Sequence, residues 1–435
     1  MCVTTLLAST YSDVHAQTDA KPRFTGLQEF NPPAAPADDQ VIVIRGGNLV
    51  DVTRSRVIAD AVVVVRGKKI VAAGDAATVD IPDGAKVIEA AGKTILPGLV
   101  DSHFHTATGE TINSLPPLFL RHGVTTARDP GRPIDVYNVY KDDSRIAPRL
   151  FLTGPHYDQP PFAWPDNAIG IRDEKHAAEA TRRFVRQGGT GVKVYYRLPL
   201  RELRATCSAA HALGIPVTAH LELVDADLAI AAGLDGIEHI TSLGTVLASN
   251  EIAERFRESV YQDNNARKEG RYRLWASLTD APSPRKQRLI ELMADQGVFL
   301  SPTLATFERQ AGSEGVTEYQ VAGFANMLKL VGECHRGGVR VVTGSHTWSK
   351  YVPMGLAFQR EMELLAKSGL SNMDVLRSST IINAQFLGCS DRLGSLEPGK
   401  LADLVIVDGD PIEDISAMRN INRVMQNGNW IGTTE

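Results

Sequence analysis

Apolar and polar positions divide this chain into β-rich ends and a longer middle of alternating character. From Val41 onward, short apolar runs alternate with turn residues. Val41-Ile42-Val43-Ile44 leads into Gly46-Gly47, Ala61 to Val65 runs into Gly67-Lys68-Lys69, and Ile70 to Gly74 follows. Lys86 to Glu89 and Lys93 to Leu96 complete the series. Short β-branched runs punctuated by glycine predict the strands of a small antiparallel β unit. At the far end, Leu404 to Val407 reads as a strand and Val424 to Ile431 as a hairpin turning at Asn427-Gly428. Two such ends predict one small β-sandwich domain built from both termini.

The middle alternates strand-like and helix-like segments. Strand candidates end at His105, Asp129, Asp158, Arg197, Glu222, Ile240, Thr306 and Thr347. Helical periodicity runs over Glu174 to Gln187, Leu200 to Leu213 and Pro284 to Gln296. Eight strands with helical crossovers predict an α/β fold, a (β/α)8 TIM barrel. A doubly wound sheet would bring a glycine-rich phosphate turn, which is absent. The charged stretch Glu251 to Thr279, with Tyr261, Tyr272 and Trp275, predicts a helical insertion over the barrel mouth. The expected division is a lead-in over 1–40, a β-sandwich domain from 41–95 plus 393–435, and a barrel over 96–392.

Composition changes little in this picture. The chain has 435 residues and a formal net charge of −5, with no basic stripe, so nucleic acid is not an expected partner. No run reaches the ~20 apolar residues that span a membrane. Cys2, Cys207, Cys334 and Cys389 are widely spaced and predict neither a thiolate metal site nor a disulfide framework. Leu6 to Ser9 and Val14-His15-Ala16 resemble a signal peptide and its cleavage site, but the positive n-region is missing. Periplasmic or secreted export and a cytoplasmic location both stay open. A homo-oligomer is compatible with everything above.

The chemistry sits at strand ends. His103 and His105 are two apart, so a strand would point both the same way, and two imidazoles on one face suit a divalent ion. A lone H-x-H is a weak signal. His220 and His239 raise it, because they close two further strands at the same end. Lys193 lies inside the apolar strand Gly191 to Tyr196, where a buried amine needs a reason. Either it is paired, or desolvation lowers its pKa and it reacts with CO2 to form a carbamate.

These residues, in this order, resemble the amidohydrolase superfamily, in its imidazolonepropionase-like and prolidase-like branch. The resemblance runs from about Val41 to Ile431. It is carried by Ile95-Leu96-Pro97-Gly98-Leu99-Val100-Asp101-Ser102-His103-Phe104-His105 and by Gly394 to Val405. It implies that His103 and His105 bind one metal, and that carboxylated Lys193 bridges to a second held by His220 and His239. It further implies that a hydroxide between the ions attacks a carbonyl carbon. Zinc stands first among the metals, with one or two ions.

One position departs from the family. Its strand-eight aspartate binds metal and takes the proton of the attacking water, and His346 stands there instead. Removing that negative charge leaves the site one unit more positive. His346 would then be a ligand or general base, Glu222 would take over the proton, or the site would bind without turning over. His156, Tyr195 and Arg197 are candidate substrate-binding residues, with Arg197 clamping a carboxylate. The expected function is hydrolysis of a C–N bond in a small molecule: an amide, a cyclic amide, a dipeptide or an N-acyl amino acid. An esterase, lactonase or deaminase is the alternative, and a catalytically silent descendant the rival.

Overall fold

The computed structural model describes residues 24, 27–106, 111–141, 146–279 and 283–432. The signal-peptide reading, and Cys2 with it, falls outside the described residues.

Strands from both ends of the chain hydrogen-bond into one eight-stranded sheet. Val41–Asp51, Arg56–Arg66 and Lys69–Asp75 form an antiparallel meander. The unit is not wholly antiparallel as the sequence suggested: Lys86–Glu89 and Lys93–Pro97 both run parallel to the first strand. Leu404–Asp408 adds antiparallel to Lys93–Pro97, and Ile421–Gln426 and Asn429–Trp430 follow. The first strand carries bulges between Arg45 and Leu49, where its parallel partner changes from Lys86–Glu89 to Lys93–Pro97. Asn427 and Gly428 take positive φ, 52° and 83°, as a two-residue hairpin turn requires. Val62 to Val65 are continuously apolar because both faces are covered. Val63 and Val65 pack with Ile42, Ile44 and Leu404, whereas Val62 and Val64 pack with Val43.

The middle of the chain forms two parallel sheets. One contains Leu99–Asp101, Val124–Asp129 and Arg149–Leu152. The other runs through Ala168–Gly170, His156–Asp158, Val192–Val194, Val217–Ala219, Gly236–Glu238, Phe299–Ser301 and Arg340–Val341. Single hydrogen bonds link their edges: Thr190 N donates to Leu152 O at 2.8 Å, and Ser102 N to Thr343 O at 3.0 Å. Helices connect the strands. Glu174–Arg186, Leu200–His211 and Pro284–Asp295 lie where periodicity put them, the first and last capped by Asp173 and Ser283. The insertion is helical, Asn250–Gln262 and Ala266–Ala276.

Several strands stop short of their expected ends, and the residues of interest lie in the turns beyond. His239, Thr303, His346 and Thr347 have φ of 67°, 50°, 51° and 69°, which no strand accommodates. Strained backbone of this kind persists only where surrounding contacts impose it. The parallel sheets of the middle and the end-sheet are locked together by Arg149, which is fully buried. It pairs with Asp403 and, at 3.1 Å, with Glu29. Cys207, Cys334 and Cys389 are buried. Among the described residues, no helix is long and apolar enough to cross a membrane.

Candidate metal centre

Asp101 organises the first turn of the site. Its Oδ1 accepts from His103 N and Ser345 N, both at 3.0 Å, tying the loop after Leu99–Asp101 to the loop after Arg340–Val341. His346 N then donates to His103 O at 2.7 Å. Thr347 Oγ1 accepts from His105 N and donates to His105 O, each at 2.6 Å. The approach requires glycine at 344, since a Cβ there would fall 2.7 Å from His103 Cβ. Phe104 points away from the histidines and packs edge-on against Phe119.

His103 and His105 meet at their Nε2 atoms, 3.0 Å apart. Their other nitrogens are occupied. His103 Nδ1 donates to Glu238 Oε2 at 2.6 Å, and His105 Nδ1 to Asp129 Oδ1 at 3.0 Å. Both carboxylates are fully buried and held in turn: Arg128 donates to Glu238 Oε1 at 2.7 Å, and Tyr137 to Asp129 Oδ2. With Nδ1 protonated on both rings, two bare lone pairs face each other. A shared cation, a metal ion or a proton, makes that favourable. The separation is close to the ~3.3 Å expected for two nitrogens bound tetrahedrally at about 2.0–2.1 Å. Carboxylate partners of this kind fix the tautomer of metal-binding histidines.

The remaining imidazoles close around this pair. His346 brings a nitrogen into a group with His103 and His105 whose ligand atoms all lie within 4.8 Å. His239 has its ring 4.7 Å from that of His103 and its Nδ1 2.7 Å from Thr303 Oγ1. His220 has its ring 4.5 Å from that of His239. Its Nε2 donates to Glu222 Oε1 at 3.2 Å, while its buried Nδ1 has no partner. Burial holds His103, His239 and His346 well below the ordinary histidine pKa and His220 at about 4, so all are neutral and carry a free lone pair.

Lys193 lies beneath them, 1% exposed, its Nζ without a hydrogen-bond partner and 3.9 Å from Glu238 Oε1. Burial, opposed by Glu238, brings its pKa down to about 7. A cavity of about 410 Å³ opens over the cluster, lined by His103, His105, Lys193, His239 and His346 among others.

The structure places the other candidates unequally. His156 and Tyr195 line the cavity and stack on each other, centroids 4.7 Å apart. The His156 ring occupies the space a Cβ on Gly131 would need, its Nε2 only 2.2 Å from that point. Arg197 does not reach the cavity. Its Nε donates to Asn264 Oδ1 at 2.8 Å and its Nη2 to Val260 O at 2.5 Å, so it anchors the insertion instead. Glu222 also stays outside the cavity wall, held by His220 and by Arg271 at 3.0 Å. Burial would raise its pKa, but Arg271 and His220 outweigh burial and bring it down to about 2. An acid that weakly basic is a poor proton acceptor; its place beneath His220 makes it an orienting group.

Glu238, Asp129, Arg128 and Thr303 carry the histidines, and for the first three no role was read in the sequence. A signal exists for one of them. Glu238 is an acid at the end of the buried strand Gly236–Glu238, next to His239, where a carboxylate needs a partner.

Known proteins resemble this chain in sequence and in fold. A model of the amidohydrolase family matches residues 94–431. An uncharacterized protein of Mycobacterium tuberculosis is 33% identical over 182 residues, 37% of this chain and 48% of that protein. The chain thus spans about half the length of the first curated relatives it matches. A 5-methylthioadenosine/S-adenosylhomocysteine deaminase of Symbiobacterium thermophilum is 23% identical over 87% of this chain and 88% of its own. In fold, the chain is similar to a prolidase solved with N-methylphosphonate-L-proline, with a TM-score of 0.68 and 22% identity. That likeness covers 90% of this chain and 99% of the prolidase. It is also similar to molinate hydrolase, with a TM-score of 0.71 and 18% identity over 91% of this chain and 95% of that one. With its family match running from the strand before His103 to the last hairpin, this chain belongs to the amidohydrolase family.

Proposed function

We propose that this chain is a metal-dependent hydrolase that cleaves a C–N bond, an amide or cyclic amide, in a small molecule. The observation that carries the reading is the facing pair of Nε2 atoms on His103 and His105, each ring fixed from behind by a buried carboxylate. His103, His105 and His346 would hold one divalent ion. Lys193, His220 through Nδ1 and His239 through Nε2 would hold a second. Neutral imidazoles suit zinc. A bound ion supplies Lewis acidity toward a carbonyl oxygen and a water acidic enough to attack near neutral pH.

The chain's own groups do the rest. Lys193 is desolvated, unpaired by hydrogen bonds and neutral in part near pH 7. Its amine would take up CO2, forming an N–C bond and releasing one proton, to give an anionic ligand. Even with that anion, the site stays one unit more positive than one that also carries a strand-eight aspartate. His346 completes the ligand set in the aspartate's place; its depressed pKa favours the role of ligand over that of base. His156 and Tyr195 would form the wall against which the substrate lies. The two parallel sheets are read as arcs of one (β/α)8 barrel, joined by the single bonds at Thr190 and Ser102.

A second reading, hydrolytic deamination of a heterocycle, is favoured by the near full-length likeness to a deaminase. A panel of N-acyl amino acids, dipeptides, cyclic amides, esters, lactones and adenine, assayed on zinc-loaded protein, separates the two. The proposal expects turnover of an amide, lost in His103→Ala and reduced in His346→Ala. Turnover of none of the panel by a protein that binds zinc would leave the silent descendant standing.

A further inference from the structure

We infer that Arg132 is a specificity-determining residue that admits substrates bearing a carboxylate near the scissile bond; this rests on the hydrolase reading above. Arg132 lines the same cavity as the histidine cluster. It is three residues beyond Asp129, the carboxylate that fixes His105. Its Nε donates to the carbonyl of Thr106 at 2.8 Å, the residue next to His105. The guanidinium is thus tethered within one small molecule's length of the facing nitrogens.

Its charge is unspent. Nη1 donates to Asn167 Oδ1 at 3.3 Å, and Nε to a backbone carbonyl, both neutral acceptors. Among the described residues no carboxylate pairs with Arg132, and none lines the cavity. Lys193, the other basic side chain on the wall, is the proposed carbamate and offers no lasting positive charge. A partly buried guanidinium without a counter-ion is costly unless an anion arrives with the ligand. Arginine presents a planar fork that matches a carboxylate with two parallel bonds.

The rest of the wall is apolar. Leu115, Pro130, Trp164, Trp348 and Met354 line it, and Trp164, Trp348 and Met354 are about half exposed. Trp164 is held by its Nε1, which donates to Tyr195 OH at 3.0 Å. Large apolar groups left open at a cavity mouth mark a surface meant to be covered by a ligand. The substrate class is therefore an amide with an anionic end on Arg132, its carbonyl toward the histidines and an apolar or aromatic side group on the tryptophans. Arg197, the arginine that the sequence offered for this task, is committed to the insertion and is not available for it.

Two probes test this: N-acetyl-L-phenylalanine and the uncharged N-acetyl-L-phenylalaninamide. Each is titrated into the full-length protein, as purified and after metal removal, with tryptophan fluorescence as the readout. The carboxylate is expected to bind at least about tenfold more tightly than the amide in both preparations, as a charge-assisted hydrogen-bond pair provides. Arg132→Gln, with unchanged circular dichroism, is expected to bring the two within about twofold, and Arg132→Lys to fall between, because lysine lacks the fork. Equal affinity in the wild type, binding of neither probe, or a preference that survives Arg132→Gln would overturn the inference. A preference that vanishes with Arg132 in a protein that hydrolyses no amide would sink the hydrolase reading and leave the anion specificity intact.

Discussion

At the scale of single residues, the site is a set of imidazoles each held by one nitrogen and offered by the other. Glu238 holds His103, Asp129 holds His105, Glu222 holds His220 and Thr303 meets His239. Asp129→Asn keeps the shape but weakens the acceptor for His105 Nδ1. Metal affinity is expected to fall about 10–100-fold, read as faster loss of metal to a chelator with the fold unchanged. If the variant holds metal as tightly as the wild type, His105 is not a ligand or Asp129 does not aim it. The histidines were legible in the sequence because H-x-H and two further strand-end histidines are rare together. Their supports were not: Asp129 lies 24 residues and Glu238 135 residues from the ring each one holds. No local spacing records pairs so distant.

At the scale of elements, strand ends and the insertion are coupled through charge. Arg271, on the helix Ala266–Ala276, reaches Glu222 just past Val217–Ala219, and Glu222 reaches His220. The folded Glu222 pKa, about 2, lies below the ordinary carboxylate value of 4.5. The stability this contributes is full above pH 4.5 and is lost as pH falls toward 2. Glu222→Gln should therefore flatten the acid limb of the stability curve. It should also cost about 3 kcal/mol at neutral pH, because Arg271 loses its buried partner. Urea unfolding across that pH range reads both effects; an unchanged acid limb would contradict the coupling. Element types were readable from periodicity, and with them the starts of Glu174–Arg186 and Pro284–Asp295. Strand ends were overextended because positive φ at His239 and His346 bends the chain away from the ladder, and ordinary side chains give no warning of that. Arg197 was misassigned for a related reason: period two projected it inward from a strand that had already ended at Val194.

At the scale of the whole molecule, chain ends and middle are one mechanical unit. Asp403 takes the fully buried Arg149 from the strand Arg149–Leu152, and its Oδ1 accepts from Asn427 N in the terminal hairpin. Asp403→Asn should destabilise the protein by about 3–5 kcal/mol, since it leaves a buried guanidinium short of charge. The loss should appear in thermal unfolding as one shifted transition. Two separated transitions would show instead that the end-sheet and the middle of the chain unfold independently. The segment Gly394 to Val405 was legible as a family signature, but its physical task, clamping Arg149, emerges only when 254 residues of separation are folded away. All of this scaffolding serves the proposed metal centre, and elemental analysis tests that proposal most directly. Full-length protein purified from zinc-supplemented medium should carry one or two divalent ions per chain, and the His103→Ala, His105→Ala double variant should carry none. A wild-type protein free of metal, or a double variant that retains it in full, would contradict the account.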